Sequence, residues 1–123
     1  MMTHLEKARE LRARTDVHFN CCQAVLVTFA EEMGLTEQQA FDLGASFGSG
    51  MRCGSVCGTL TGALMALGMR GYDEEQSAAF LRRFREDHGE INCAALLKAA
   101  HDRGIPRKEH CDGLVFEVVQ MLE

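Results

Sequence analysis

No run of lysine and arginine occurs in this 123-residue chain, whose formal net charge is −5. Proteins that bind nucleic acids cluster basic side chains against the phosphates, so we expect no nucleic-acid partner. The chain also has no apolar stretch of the roughly 20 residues that a membrane-spanning helix requires. Its charge-free segment, residues 53–69, is shorter and is interrupted by glycine, serine and threonine. We therefore expect no membrane insertion.

Three further patterns are missing from the sequence. The amino-terminal residues alternate in charge without an apolar core, so no secretory signal is expected and a cytoplasmic protein is predicted. In that reducing compartment, six cysteines point to catalysis, redox sensing or metal binding more than to structural disulfides. No Cys-x-x-Cys pair occurs, so neither a thioredoxin-like nor a zinc-ribbon motif can be claimed.

The apolar residues that are present recur at spacings of three and four, and no alternating strand pattern accompanies them. This predicts an all-α fold, a single compact multi-helix bundle. No linker divides the chain, so residues 1–123 are one predicted domain, with 1–16 as a peripheral helix and 17–122 as the core bundle. The predicted helices cover about residues 4–14, 20–34, 36–48, 53–71, 73–89, 92–104 and 106–122, although Gly113 leaves open whether the last is one helix or two.

Glycines repeat every four residues along the predicted central helix. Gly54, Gly58 and Gly62 form a stripe without side chains, and each costs up to about 1 kcal/mol relative to alanine. Close packing by another helix would offset that cost, as would a cofactor lying against Gly58 and Gly62. The same stripe also suits a second copy of the chain, so a homo-oligomer is a further expectation.

The cysteines fall where predicted helices begin. A helix start carries unpaired N–H groups and partial positive charge, so a thiol there ionises more readily than an ordinary one. This predicts sulfur-anion chemistry, with Cys57 as the favoured low-pKa thiol. Five cysteines follow a capping residue or a glycine-rich turn, and the sixth precedes a possible start at Asp112-Gly113: Cys21, Cys22, Cys53, Cys57, Cys93 and Cys111.

Two cationic side chains are candidate helpers. His18 precedes Cys21 and Cys22 by three and four residues, so it can stabilise a thiolate or supply a nitrogen ligand. Arg52 is next to Cys53 and can lower its pKa electrostatically. For both, the alternative is an ordinary solvated side chain.

The motifs Asn-Cys-Cys-Gln-Ala-Val from Asn20 and Cys-Gly-Thr-Leu-Thr-Gly from Cys57, followed by two later cysteines, resemble the redox-active bacterial proteins named for the pattern C_GCAxxG_C_C. The resemblance spans about residues 19–122. It implies a small helical protein, often encoded near transporter genes, with Cys22 and Cys53 as accessory residues. Thr59 stands where the motif has alanine. The four defining cysteines of the family correspond to Cys21, Cys57, Cys93 and Cys111.

Three functions remain open from the sequence. In the first, these four cysteines carry out thiol/disulfide exchange with a redox partner protein or a transport-associated protein. In the second, the same four thiolates bind zinc or an iron–sulfur cluster. In the third, the chain is a non-catalytic helical interaction module with buried cysteines. Six cysteines allow 15 complete disulfide connectivities, so the sequence does not assign a pairing.

Overall fold

Seven α-helices make up the chain between residues 2 and 123, the part that the computed structural model describes. Within those residues the only β-structure is a single antiparallel bridge between Val56 and Asn92. The predicted all-α class is therefore confirmed. The helices are α1 (His4–Ala13), α2 (Cys21–Thr28), α3 (Glu37–Gly44), α4 (Gly58–Met69), α5 (Glu74–His88), α6 (Cys93–Asp102) and α7 (Arg107–Leu122).

Helices α2 and α4 form the middle of the bundle. Every residue of α2 after Cys21 is buried, and α1, α3, α4 and α7 all pack against it. Helix α4 lies close to α2 because glycines face it. A Cβ atom added to Gly62 would be 3.1 Å from the Cβ of Val25, and one added to Gly58 would be 2.7 Å from the Phe47 carbonyl oxygen. These two glycines therefore have a packing role.

Four helices begin with capping boxes. In each, the side chain of the capping residue accepts a hydrogen bond from the backbone N–H three residues later, and the side chain of that later residue accepts one from the backbone N–H of the capping residue. The boxes at Thr36 and Asp73 lie where the sequence predicted helices to begin, so these two starts are confirmed. Such local contacts define where these helices start without help from tertiary packing. The four pairs are Thr3 with Glu6, Asn20 with Gln23, Thr36 with Gln39, and Asp73 with Gln76.

Two predicted helices are shorter than expected. Helix α4 begins at Gly58, so Cys53 and Gly54 lie outside it and do not share a helix face with Cys57. The preceding residues, Gly50–Gly54, are irregular because several of them have left-handed backbone angles. Helix α2 ends at Thr28, since the chain then tightens into three-residue turns such as the 3.1 Å bond from Met33 N–H to the Ala30 carbonyl.

Helix α7 corrects a third expectation. Residues 107–122 form one helix that runs through Gly113 without a break. Cys111 therefore lies in the second turn of α7 and does not begin a helix. Helix α1 packs against α7 and α2 through its buried Ala8 and Leu11, so the predicted peripheral helix contacts the core directly. No helix within residues 2–123 combines the length and apolarity needed to cross a bilayer.

Candidate redox site

Cys21 is the first residue of α2, and its position is held by the capping box on either side of it. The side-chain oxygen of Asn20 accepts from the Gln23 N–H at 2.8 Å. Both side chains also reach the end of α3, where Asn20 Nδ2 donates to the Gly44 carbonyl at 3.2 Å and Gln23 Nε2 donates to the Phe41 carbonyl at 3.0 Å. The helix start that carries Cys21 is thereby fixed to a neighbouring helix.

Cys57 and Cys93 are brought together by the bridge between Val56 and Asn92. The Cys57 N–H donates to the Ile91 carbonyl at 2.8 Å, and the Cys93 N–H donates to the Ser55 carbonyl at 2.6 Å. Cys57 is the capping residue of α4, and Cys93 is the first residue of α6. One short bridge thus aligns two helix starts that are 36 residues apart in sequence (93 minus 57).

Cys111 enters the same region from α7, which is tied to α1 by charged contacts. Arg12 Nε donates to Asp112 Oδ1 at 2.6 Å, and Arg12 Nη1 donates to the Phe19 carbonyl at 2.7 Å. Lys108 Nζ donates to Asp112 Oδ2 and to the Arg12 carbonyl, both at 3.0 Å. These contacts place the Arg12 guanidinium, only 7% exposed, beside the thiols.

All four cysteines of the motif line one cavity of about 380 Å³. Residues from five helices (α1, α2, α4, α6 and α7) therefore surround the sulfur atoms, as the redox and metal hypotheses both require. The cavity wall combines thiols, leucines, histidines and cationic side chains. The remaining lining residues are Arg12, Arg14, His18, Asn20, Ser49, Gly58, Leu96, Leu97, Arg107, Lys108, His110 and Leu114.

The Cys21 and Cys111 thiols both line the cavity, and each affects the ionisation of the other. The hydrogen bond from Cys111, assisted by the nearby positive charge of Arg12, lowers the pKa of Cys21 to about 6, although burial opposes the shift. The same hydrogen bond and burial raise the pKa of Cys111. The start of α2 adds partial positive charge at Cys21. Near neutral pH the pair therefore consists of a Cys21 thiolate and a protonated Cys111.

The other buried thiols ionise less readily. Burial, followed by repulsion from the Cys21 thiolate, raises the pKa of Cys57 and that of Cys93, with Arg107 partly opposing the rise at Cys93. Burial also raises the pKa of Cys22 to about 12. The sequence favoured Cys57 as the low-pKa thiol, and this is corrected: Cys57 is only 4% exposed, and the lowered pKa belongs to Cys21.

Thr59 supplies an unusual polar group beneath two of the thiols. Its side chain is completely buried, and its Oγ1 has no hydrogen-bond partner. The hydroxyl is near Cys21 and Cys57, and its interaction with the ionised sulfur lowers the pKa of each. A thiol is a weak acceptor and a thiolate a strong one, so ionisation of Cys21 gives this hydroxyl a partner.

Replacing Thr59 with valine should make Cys21 harder to ionise and should make the protein more stable when Cys21 is protonated. We expect Thr59→Val to move the midpoint for Cys21 ionisation to higher pH, since a donor to the thiolate is lost. In mildly acidic buffer, where Cys21 is protonated, the free energy of unfolding should rise by about 1 kcal/mol because an unpaired buried hydroxyl is removed. Thiolate absorbance and urea unfolding measure the two quantities. An unchanged midpoint together with lower stability would show that the hydroxyl serves another contact.

The predicted accessory residues divide into two groups. His18 lines the cavity, as does His110, which was not predicted and whose pKa is lowered by burial and by the charges of Arg103 and His88. Cys22, Cys53 and Arg52 do not line it. Cys22 is fully buried beneath it, Cys53 is exposed, and Arg52 donates to the Ala45 carbonyl at 3.0 Å. Of the glycines predicted to contact a cofactor, Gly58 borders the cavity and Gly62 does not.

Backbone strain is concentrated next to the cavity. Ser49, Met51 and Arg52 have φ values of 53°, 56° and 61°, in the left-handed region that residues with a side chain rarely adopt. Such conformations cost about 1 kcal/mol or more each and persist where the surrounding structure imposes them. Ser49 lines the cavity and its Oγ accepts from Arg107 at 3.0 Å, so this strained turn forms part of the wall.

The four cysteines of the cavity are not arranged as ligands of a single metal ion. Within residues 2–123 no three His, Cys, Asp or Glu side chains are arranged so that they could hold one ion. A structural zinc site needs about four ligands at bonding distance from one ion, so the cavity as it stands does not fit a zinc ion. The sulfur atoms surround a cavity and do not converge on a point.

Sequence reasoning missed the cationic side chains of the site. Arg12 and Asp112 are 100 residues apart, and nothing in the local sequence of either indicates their contact. Arg107 and Lys108 occur at the start of α7, which is an ordinary exposed position for basic residues. Thr59 had one signal, since it departs from the alanine of the motif, but its contact with Cys21 depends on how α2 packs on α4.

Comparison with known proteins agrees with this geometry. No curated protein and no solved structure matches the chain. A protein-family model does, over residues 19–123, and it is described as "Putative redox-active protein (C_GCAxxG_C_C)". The match includes all four cysteines of the cavity and the helices that carry them. The family is described as redox-active, which agrees with a site built from an ionised thiol beside a protonated one, and the chain belongs to this C_GCAxxG_C_C family.

Proposed function

We propose that this protein is a thiol/disulfide redox protein in which Cys21 is the attacking thiolate and Cys111 the resolving thiol. The observation that carries the proposal is the placement of Cys21 and Cys111 in one cavity lined by cationic side chains. The interaction between the two thiols there lowers the pKa of Cys21 and raises that of Cys111. A thiolate is the nucleophile in disulfide exchange, and a thiol with a pKa near the ambient pH attacks most effectively.

The proposed reaction has two steps. The Cys21 thiolate attacks one sulfur of a substrate disulfide, so a mixed disulfide forms and the other substrate sulfur leaves as a thiolate with the bonding electrons. Cys111 then loses its proton to solvent and attacks the Cys21 sulfur, which forms the Cys21–Cys111 disulfide and releases the second substrate thiolate. The substrate is reduced by two electrons and the cysteine pair is oxidised by two. In the opposite direction the protein acts as the oxidant.

Counting thiols tests this directly. The reduced protein should contain six titratable cysteines in denaturant, and the protein oxidised by a small disulfide should contain four. Dithiothreitol should restore all six. A Cys53→Ser control, which alters the exposed thiol outside the cavity, should also lose two. An unchanged count after oxidation, with no mixed disulfide in the mass spectrum, would contradict the proposal.

The pH dependence of Cys21 provides a second test. Thiolate reactivity is present above the pKa and is lost as the pH falls through it, so alkylation of Cys21 by iodoacetamide should be half-maximal near pH 6. Cys111→Ala should move that midpoint upward, towards the ordinary value of about 8.5, because the main cause of the lowered pKa is removed. Mass spectrometry of the Cys21 peptide gives the rates.

A Cys53→Ala variant is the matched control for that experiment, because its side chain is outside the cavity and the midpoint should not move. Equal midpoints in wild type and Cys111→Ala would show that the neighbouring thiol does not lower the pKa of Cys21. The assignment of Cys111 as its partner would then fail.

A further inference from the structure

We propose that the substrate of this site is a small anionic disulfide, one whose groups beside the sulfur atoms carry carboxylates. This inference rests on the proposed function and names the class of molecule on which the site acts. Two features of the cavity carry it: the sign of the charges around the thiols, and the size and lining of the space.

Apart from the Cys21 thiolate, the charged side chains that line the cavity are all cationic. Four of the chain's 13 lysines and arginines line it, in a protein whose net charge is −5. Among the residues that the structure describes, no aspartate or glutamate lines the cavity. Clefts lined by one sign of charge attract ligands of the opposite sign and speed their association. This arrangement favours an anion and disfavours a cation.

Carboxylates that do not line the cavity neutralise part of the positive charge of its four cationic side chains. Arg14 pairs with Asp16 at 2.7 Å, whereas Arg12 and Lys108 share the single carboxylate of Asp112. Three cations therefore face two carboxylates.

Arg107 has no carboxylate within ion-pair distance in the described chain, and its guanidinium contacts the uncharged Ser49 hydroxyl at 3.0 Å. Its charge also acts on Cys93 and Cys111, where it opposes the rise in pKa. Arg107 is thus a cation beside the sulfur atoms that is available to bind a carboxylate.

The space suits a small molecule. Ligand pockets commonly measure about 300–1,000 Å³, and this cavity, at about 380 Å³, lies near the lower end of that range. Leu96, Leu97 and Leu114 provide an apolar surface beside the thiols. Short methylene arms next to a disulfide would lie against these leucines, while terminal carboxylates reach the cationic wall. A folded protein could present only a thin loop to such a space.

The reaction is the thiol/disulfide exchange proposed above, and the oxidant is a disulfide that carries two carboxylates. Cys21 attacks the dicarboxylate disulfide, its S–S bond breaks, and one carboxylate-bearing thiol leaves. Cys111 displaces the second and closes the disulfide with Cys21. Two anionic thiols are produced for each cysteine pair oxidised, and no further reactant is needed.

Three disulfides of similar size but different charge provide the test. Reduced full-length protein is mixed at low ionic strength with dithiodipropionate, a dianion, with bis(hydroxyethyl) disulfide, which is neutral, or with cystamine, a dication. Loss of protein thiols gives each second-order rate constant, which is divided by the rate constant of the same disulfide with 2-mercaptoethanol because the leaving thiols differ in pKa. We expect this relative rate to be highest for the dianion and lowest for the dication, with a ratio of about tenfold or more that shrinks as salt is added.

Arg107→Gln should slow the reaction of the dianion about threefold to tenfold more than it slows the reaction of the neutral disulfide. Only the charged substrate interacts with the guanidinium, whereas the effect of Arg107 on the pKa of Cys111 is common to both substrates. Arg107→Lys retains the charge and should restore most of the rate. Arg82→Gln is the matched control, because it removes an exposed cation that does not line the cavity. Thermal unfolding of each variant confirms that it is folded.

The outcomes separate this inference from the function on which it rests. Equal relative rates for the three disulfides, or equal losses in Arg107→Gln and Arg82→Gln, would overturn the anionic substrate and leave thiol/disulfide exchange standing. The inference would also fail if the small disulfides reacted without charge preference while a protein disulfide reacted much faster. No loss of thiols with any disulfide would overturn both proposals.

Discussion

Replacing Cys21 with serine is expected to lower the rate of reaction with a small disulfide by about 30-fold or more. At neutral pH the thiolate fraction of a thiol with an ordinary pKa is a few per cent, and burial raises the pKa of Cys57 and Cys93 above the ordinary value. Without Cys21, burial still disfavours ionisation of the three cysteines that remain in the cavity, Cys57, Cys93 and Cys111. Stopped-flow measurement of thiol consumption, together with thiolate absorbance at neutral pH, gives the rate and the ionised fraction.

Two variants show whether the effect is specific. Cys53→Ser removes an exposed thiol outside the cavity and should react as the wild type does. Cys57→Ser removes a thiol of the cavity that is protonated, so the first step should be retained. If Cys57→Ser lost the reaction and Cys21→Ser kept it, the role of nucleophile would belong to Cys57, as the sequence alone favoured.

Gly50→Ala is expected to cause a large loss of stability, about 3 kcal/mol or more. The backbone at Gly50 is left-handed, with φ of 62°, which costs about 1–2 kcal/mol for a residue with a side chain. A Cβ atom there would collide with the Ser55 carbonyl oxygen, would lie 2.6 Å from the Ser55 nitrogen, and would lie 2.8 Å from the Cβ of Cys93. Overpacking of this kind adds about 1–3 kcal/mol.

The matched control is Gly68→Ala in α4. A Cβ atom at Gly68 has no neighbour within 4 Å, and the residue has ordinary helical geometry, so the change should stabilise the protein by about 0.5–1 kcal/mol. Urea unfolding of both variants measures the difference. If Gly50→Ala were as stable as the wild type, the turn that carries Ser49 to Gly54 would have another conformation and the wall of the cavity next to Cys93 would differ from that described.

The helices could be predicted where residues close together in the sequence determine the backbone conformation. Capping residues such as Thr36 and Asp73 define helix starts through contacts over three residues, and the periodic apolar positions of α2 and α7 define the buried faces. The errors arose where backbone conformation depends on distant contacts. Residues 53–57 were predicted to begin the central helix, yet Gly50, Met51 and Arg52 before them have left-handed angles, and the bridge to Asn92 holds the chain extended at Val56.

The same distinction applies to the site. The four cysteines were identified from their motif and from their position near helix starts, and the structure brings them to one cavity. Which thiol ionises could not be deduced in that way, because the pKa of Cys21 depends on a partner 90 residues away in sequence and on Arg12 from a helix predicted to be peripheral. Long-range contacts between α1, α2 and α7 decide the chemistry, and they have no local signature.

Disulfide mapping of the oxidised wild-type protein tests the central claim most directly. Reduced protein is treated with one equivalent of a small disulfide, the remaining thiols are alkylated under denaturing conditions, and the proteolytic peptides are identified by mass spectrometry. A linked pair of peptides containing Cys21 and Cys111, with Cys57 and Cys93 alkylated, is the predicted result. A different linked pair, or full alkylation of Cys21 and Cys111 after oxidation, would contradict the account.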